Sequence, residues 1–228
     1  KTLVGHAVDQ GYKSKFISAN AILIDSLKEK AKTNRQFALS LFADLSKIPK
    51  TNFSFELYKK ANSDTIVTID KILNDKFIYS EEINNSWTIL SDTLNINGFQ
   101  CKKAVQKFKG REYTAWFTPE IPISDGPYKF KGLPGLIIQI NDERNHYSFE
   151  LNSLESSNKE TLTPNIFDKS LIKTTSKEFK NTQLKSSKNY FQRLEQSGIQ
   201  LNNTGKKKLG NKILRKVKNP IELKEDNE

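Results

Sequence analysis

Two dipeptides, Asn97-Gly98 and Lys109-Gly110, constrain this chain more than any other feature. Each carries a glycine, which accepts positive φ, and each separates two segments in which apolar side chains recur every second position. That is the pattern of tight two-residue hairpins. Upstream the same period runs through NFSFELYKK, DTIVTIDKI, KFIYSEE and SWTIL, with Phe53, Phe55 and Leu57 on one face of the first. Consecutive strands joined by tight turns form an antiparallel meander, and the block from Thr51 to Leu154 reads as one sheet of roughly six to eight strands.

Before Thr51 the period changes. Ile24, Leu27, Ala31, Ala38, Leu41, Phe42 and Leu45 fall three, four or seven apart, which predicts an amphipathic helix or a helix pair broken near Thr33-Asn34 and stopped by Pro49. After Leu154, residues 152–187 are rich in Ser, Asn, Thr and Lys and read as a long loop or a loosely attached strand. Two short basic helices, SKNYFQRLEQSG and KKKLGNKILRKVKN, are expected beyond it. The fold class is therefore α+β: a curved, half-barrel-like antiparallel sheet packed with an N-terminal helical segment, occupying 1–167, and a basic C-terminal extension over 168–228.

Charge supports that division. Residues 168–218 hold 14 Lys or Arg against Asp168, Glu178 and Glu195, which is the whole net charge of +11, and the remainder balances 23 against 23. Lys206, Lys207, Lys208, Lys212, Arg215 and Lys216 are candidates for holding an anionic surface such as lipid or lipopolysaccharide, although a solvated helical face is the commoner meaning of such a run. Nucleic acid is not the expected partner, since no groove-reading motif accompanies the charge.

Few catalytic constellations fit. His6 and His146 are the only histidines, and Asp142 and Glu143 near His146 read first as a polar hairpin loop rather than as metal ligands. No nucleophile elbow, zinc-protease helix or Walker loop is present, and Ser124-Asp125 suits a turn. Cys101, the single cysteine, is either a small core residue or, if exposed beside Lys102 and Lys103, a thiol of lowered pKa. No cofactor or metal is expected. Trp116 and Phe117 point to opposite faces of their strand, so one face is core, and the other is core or ligand surface.

The stretch 126-GPYKFKGLPGLIIQI-140 stands out. Pro134-Gly135 suits the centre of a type II turn entering a strand that aligns Leu136, Ile138 and Ile140. Ser124-Asp125-Gly126-Pro127 forms a second corner. Gly126, Pro127, Gly132, Pro134 and Gly135 are then architectural, and the two corners set Trp116, Tyr128, Phe130, Leu133 and Pro134 as the candidate ligand-binding residues.

The run from Gly98 to Ile140 resembles the signature of the GLPGLI family, a group of uncharacterised proteins named for the six residues Gly132 to Ile137. The matching positions include Cys101-Lys102-Lys103-Ala104, Ala115-Trp116-Phe117-Thr118, Pro122 and Gly126-Pro127, with a weaker similarity from Phe53 to Leu154 and in the ending NPIELKE at 219–225. The resemblance implies a mature exported protein of a Bacteroidota cell envelope, in the periplasm, on the outer-membrane surface or secreted, with its signal peptide removed. The opening KTLVGHAVDQ has no apolar segment of signal-peptide type. The helix-plus-meander layout is also similar to the half-barrel of outer-membrane lipoprotein carriers. Three functions follow as expectations. The first is non-catalytic binding of an apolar ligand, a lipid or a peptide segment, on a concave sheet. The second is a hydrolase with an unrecognised active site, and the third an adaptor that holds polyanionic surfaces through its basic tail.

Overall fold

The computed structural model describes residues 2–9, 12–51, 53–60, 63–72, 75–155, 168–196 and 221–222. It is an α+β protein of antiparallel-dominated sheets, divided into two compact units, 1–82 with 160–179 and 83–159 with 180–228. The expected division after residue 167 abuts 156–167, outside the described residues, as do the candidate basic residues Lys206, Lys207, Lys208, Lys212, Arg215 and Lys216 and the second basic helix.

The first unit holds a six-stranded sheet in the order β1-β2-β3-β4-β5-β11. Its strands are β1 (Thr2–Asp9), β2 (Tyr12–Ser18), β3 (Glu56–Lys60), β4 (Thr65–Ile72), β5 (Asp75–Glu82) and β11 (Leu171–Lys173). All neighbours are antiparallel except β11, which runs parallel to β5. Phe16, Leu57 and Ile66 are fully buried in this unit, and Phe53 and Phe55 stack around Phe16. The β1–β2 hairpin has no counterpart in the sequence reading, which began its elements at Asn20.

Helices α1 (Ala19–Thr33) and α2 (Arg35–Ala43) follow β2. The break falls where periodicity puts it, and Asn34 causes it. Its extended backbone ends α1 by donating N–H to the Lys30 carbonyl at 3.0 Å, and its side-chain oxygen accepts from Phe37 N at 2.9 Å to cap α2. A 3-10 turn, Leu45–Lys47, closes the pair before Pro49.

The second unit holds a five-stranded sheet in the order β10-β9-β8-β7-β6. Its strands are β6 (Thr88–Ile96), β7 (Phe99–Phe108), β8 (Arg111–Thr118), β9 (Leu136–Asp142) and β10 (Ser148–Glu150). Both predicted hairpins form with all four turn residues at positive φ: Asn97 52°, Gly98 86°, Lys109 46° and Gly110 74°. Irregular registers in β6–β7 and β8–β9 add the local twist of bulges.

The meander is thus split between two sheets rather than continuous. The split falls at residues 83–87, where the strand period offers no warning. There the chain leaves the ladder because Asn85 and Trp87 are committed to other partners, described below. The segment 152–187, expected as a long loop or a loosely attached strand, contains such a strand, β11, and the start of α3 (Ser176–Gln196), a helix that begins eleven residues before the predicted SKNYFQRLEQSG. Thr175 caps it, its hydroxyl accepting from Glu178 N at 3.2 Å, and the Glu178 carboxylate accepts from Thr175 N at 3.1 Å in return.

Candidate functional site

Of the five sequence-predicted site residues, Tyr128, Phe130 and Leu133 are buried in the core of the second unit, and Trp116 and Pro134 are not. Phe130 is completely buried, with ring centroids of Tyr113, Phe108, Tyr128 and Trp87 at 4.7, 5.2, 6.0 and 6.2 Å. Leu133 is also buried, at 1% exposure, and Pro134 stands at the surface. Trp116 lies apart from this cluster. It is half-buried on the opposite face of the sheet against Ile96, Cys101 and Ile138, whereas its neighbour Phe117 is core. The two faces are therefore as the alternation predicts, and Trp116 alone of the five candidates borders solvent on the second face with an aromatic ring.

The segment 124–136 is a strap tied at many points. Trp87 donates its indole N–H to the Lys131 carbonyl at 2.8 Å, and Asn85 donates to the Lys129 carbonyl at 3.1 Å. Gln106 holds Asn85 in turn, at 2.9 Å. Asp125 is buried and accepts from Gly126 N, while its carbonyl accepts from Ile137 N. The expected type II turn at Leu133–Leu136 is instead a three-residue turn about Pro134, with Gly135 N donating to the Leu133 carbonyl at 2.8 Å. Gly135 has φ 153°, and a Cβ there would sit 2.1 Å from the Thr118 carbonyl oxygen. That contact, rather than a type II geometry, is what requires glycine.

Tyr128 has φ 55°, an unfavourable backbone for a bulky residue. Its hydroxyl donates to the Glu222 carboxylate at 2.6 Å. Glu222 also receives Lys129, itself buried, and Lys180 at 3.2 Å. One residue earlier, the Ile221 carbonyl accepts the Tyr113 hydroxyl at 3.1 Å. Ile221 and Glu222, within the ending that resembles the family signature, are therefore tied to Tyr113 and to the strap. Burial alone would raise the Glu222 pKa, but the charges of Lys129 and Lys180 and the hydrogen bonds from Lys129 and Tyr128 outweigh it and hold the carboxyl at about 2.

The polar groups at the far end of this sheet also serve structure. Arg111 and Asp142 form a buried pair at 2.8 Å, and Asp142 additionally accepts from Tyr147 N to close the 142–147 loop. His146 is half-exposed, 3.9 Å from Asp142. No group of three or more His, Cys, Asp or Glu that could hold a metal occurs among the described residues. Burial, opposed by the nearby Arg111, pushes the Tyr113 hydroxyl far above its usual range, so it is a neutral donor and not a proton-transfer group. Cys101 is fully buried, and burial pushes its thiol up as well. A lowered pKa beside Lys102 and Lys103 does not arise.

In the first unit an open apolar cleft lies between α1 and α2. Ile24, Leu27 and Ala31 of α1 face Ala38, Leu41 and Phe42 of α2, Leu45 and Ile48 close one end, and Lys28 is the only charged lining residue. Its volume is about 190 Å³. These are the residues whose period predicts the helices. Their expected role is to cover the sheet, yet neither helix has a single buried residue, and Phe42 is 78% exposed. Sequence period identifies the apolar face but not whether anything rests on it; the signal available was that Ile22, Leu23 and Leu39 fall outside the stripe.

Residues 106–139 match the profile of a family described as protein of unknown function (Porph_ging). No curated protein matches the chain. Two solved structures of PNGF-II are similar at low identity. The form in space group C2 is 16% identical with a TM-score of 0.44, covering 62% of this chain and 26% of that one. The form in space group P21 is 15% identical with a TM-score of 0.42, covering 58% and 25%. This chain spans about a quarter of the length of those structures.

Proposed function

We propose that this chain is an exported cell-envelope protein of the GLPGLI group that binds an apolar ligand without catalysing a reaction, and that the α1–α2 pair is its binding element. The match over 106–139 falls inside the signature at 98–140 and supports the family reading. The observation that carries the binding reading is the open cleft lined by Ile24, Leu27, Ala31, Ala38, Leu41 and Phe42 on helices without a fully buried residue. Leaving so much contiguous apolar surface in water is unfavourable, and folded proteins keep it where something binds.

The size of the cleft selects the ligand. Pockets that enclose drug-sized ligands measure about 300–1,000 Å³, and this open cleft, at 190 Å³, is smaller. It accepts part of a linear chain, the end of an acyl group or one or two large side chains. Phe130, Tyr128 and Leu133 are core in this reading and contribute by holding the second unit together.

The test is titration with the apolar fluorophore 1-anilinonaphthalene-8-sulfonate and displacement by a long-chain fatty acid. Ala31→Phe should fill the cleft and weaken fluorophore binding by at least about tenfold, the equivalent of ~1.4 kcal/mol, while Trp116→Ala leaves it unchanged. Equal binding by wild type and Ala31→Phe would sink the reading.

A further inference from the structure

We infer that the α1–α2 pair docks on an anionic lipid surface, so that the cleft opens toward the membrane that supplies its ligand. The inference rests on the reading of this pair as the apolar-binding element.

Two observations point to lipid. The first is where the apolar residues lie. Ile22, Leu23, Leu39, Phe42 and Leu45 are 43, 49, 60, 78 and 65% exposed. Only Phe42 and Leu45 belong to the cleft. Leu23 and Leu39 stand about 100° around their helices from the cleft residues Ile24 and Ala38, on the flanks of the cleft, so an occupant confined to the cleft would leave them in water. A lipid interface covers the flanks of the cleft together with its mouth, and amphipathic helices bind such interfaces through the apolar area of one face plus attraction to anionic lipid.

The second is charge. Residues 19–50 carry six Lys or Arg against Asp25, Glu29 and Asp44. Each acid is already engaged on the protein: Asp25 by Lys28 and Lys71, Glu29 by Lys32, and Asp44 by Lys47. That leaves the exposed cations Lys30, Arg35 and Lys50 in excess on the same element that exposes the apolar side chains. Lys30 lies 4.6 Å over the Phe37 ring. A surface with excess positive charge and exposed Leu, Ile and Phe complements an anionic bilayer interface on both counts.

The experiment uses the full chain with vesicles of equimolar phosphatidylcholine and phosphatidylglycerol. Because Cys101 is fully buried, a nitrobenzoxadiazole label on Phe42→Cys reports position 42. The label should blue-shift on these vesicles, and partitioning should fall about fivefold for each of Lys30→Gln and Arg35→Gln. The triple variant Leu39→Ser, Phe42→Ser, Leu45→Ser should lose vesicle flotation with its thermal unfolding unchanged, because all three side chains are exposed. Equal binding to pure phosphatidylcholine overturns the proposal. So does flotation that survives the triple variant, which would assign binding to basic residues elsewhere. No flotation at all also overturns it and leaves a protein segment as the occupant; fatty-acid displacement persisting there would keep the cleft reading alive. Flotation without any fatty-acid displacement would instead support docking and remove the cleft reading.

Discussion

The hydroxyl of Tyr128 donates to the carboxylate of Glu222 at 2.6 Å, joining the start of the 126–140 motif to a residue 94 positions later. Lys129 reaches the same carboxylate from the adjacent position. The contact explains how a bulky residue is kept at φ 55°, since the hydroxyl and the ring are both fixed.

The Glu222 carboxyl titrates at about 2 in the folded chain, against 4.5 unperturbed. A depressed folded value means that the stabilisation is complete above the unfolded pKa and is lost as pH falls from about 5 through 2. Its size is at most ~3 kcal/mol from the shift. Trp87 and Trp116 are the only tryptophans and both lie in the second unit, so their fluorescence follows its unfolding. Urea midpoints should fall with pH over that window in wild type and more weakly in Glu222→Gln. Glu222→Ala, which removes the carboxylate facing buried Lys129, should cost roughly 3 kcal/mol at pH 7.

The three motif glycines should rank by what a methyl group meets. At Gly135 it meets the Thr118 carbonyl at 2.1 Å, an atom of a paired strand that cannot yield. Gly135→Ala should therefore cost more than ~4 kcal/mol. At Gly126 it meets the Ile137 side chain at 2.7 Å, which can shift in part, for ~1–3 kcal/mol. At Gly132 the nearest atoms are 3.9 Å away, and only φ 95° opposes the change, for about 1–2 kcal/mol. Urea unfolding followed by tryptophan fluorescence should give that order; a tolerated Gly135→Ala would refute the strap geometry.

Phe130 and Trp116, paired as ligand residues by the sequence, should separate. Phe130→Ala removes the ring at the centre of four aromatic contacts and should destabilise the second unit by about 3–5 kcal/mol. Trp116→Ala, half-buried beside Lys103, should cost clearly less. Neither should change fluorophore binding per folded molecule. Equilibrium unfolding and titration on the same samples would show it, and a specific loss of binding in folded Phe130→Ala would contradict the assignment of the cleft to α1–α2.

What was legible in the sequence follows from the range of the forces involved. The hairpins at Asn97-Gly98 and Lys109-Gly110 and the break at Asn34 are set by one or two residues' own backbone preferences, so local reading finds them. The division of the sheet at residues 83–87 is not local. It depends on Asn85 and Trp87 bonding to carbonyls 44 positions away, and a polar side chain does not announce its distant partner. The strap shows the same limit. Pro134-Gly135 announces a turn, but the Thr118 carbonyl that excludes a Cβ belongs to another strand. The aromatics of GPYKF were visible as a group, whereas their burial depends on Trp87, Phe108 and Tyr113 closing over them.

Cys101 tests the same lesson from the opposite side. Its neighbours Lys102 and Lys103 would activate an exposed thiol, but alternation along β7 turns it into the cluster of Ile96 and Ile138, where it is fully buried. Burial raises its pKa above 9, and the Glu120 charge adds to the rise against a backbone hydrogen bond from Ile96. The thiol should accordingly be silent toward 5,5′-dithiobis(2-nitrobenzoic acid) at pH 8 in the native chain and react with one equivalent once denaturant unfolds the second unit. Because reaction then requires opening, its rate should rise in Gly135→Ala in parallel with that variant's loss of stability. A fast native reaction independent of denaturant would place Cys101 at the surface and restore the lysine-activated reading.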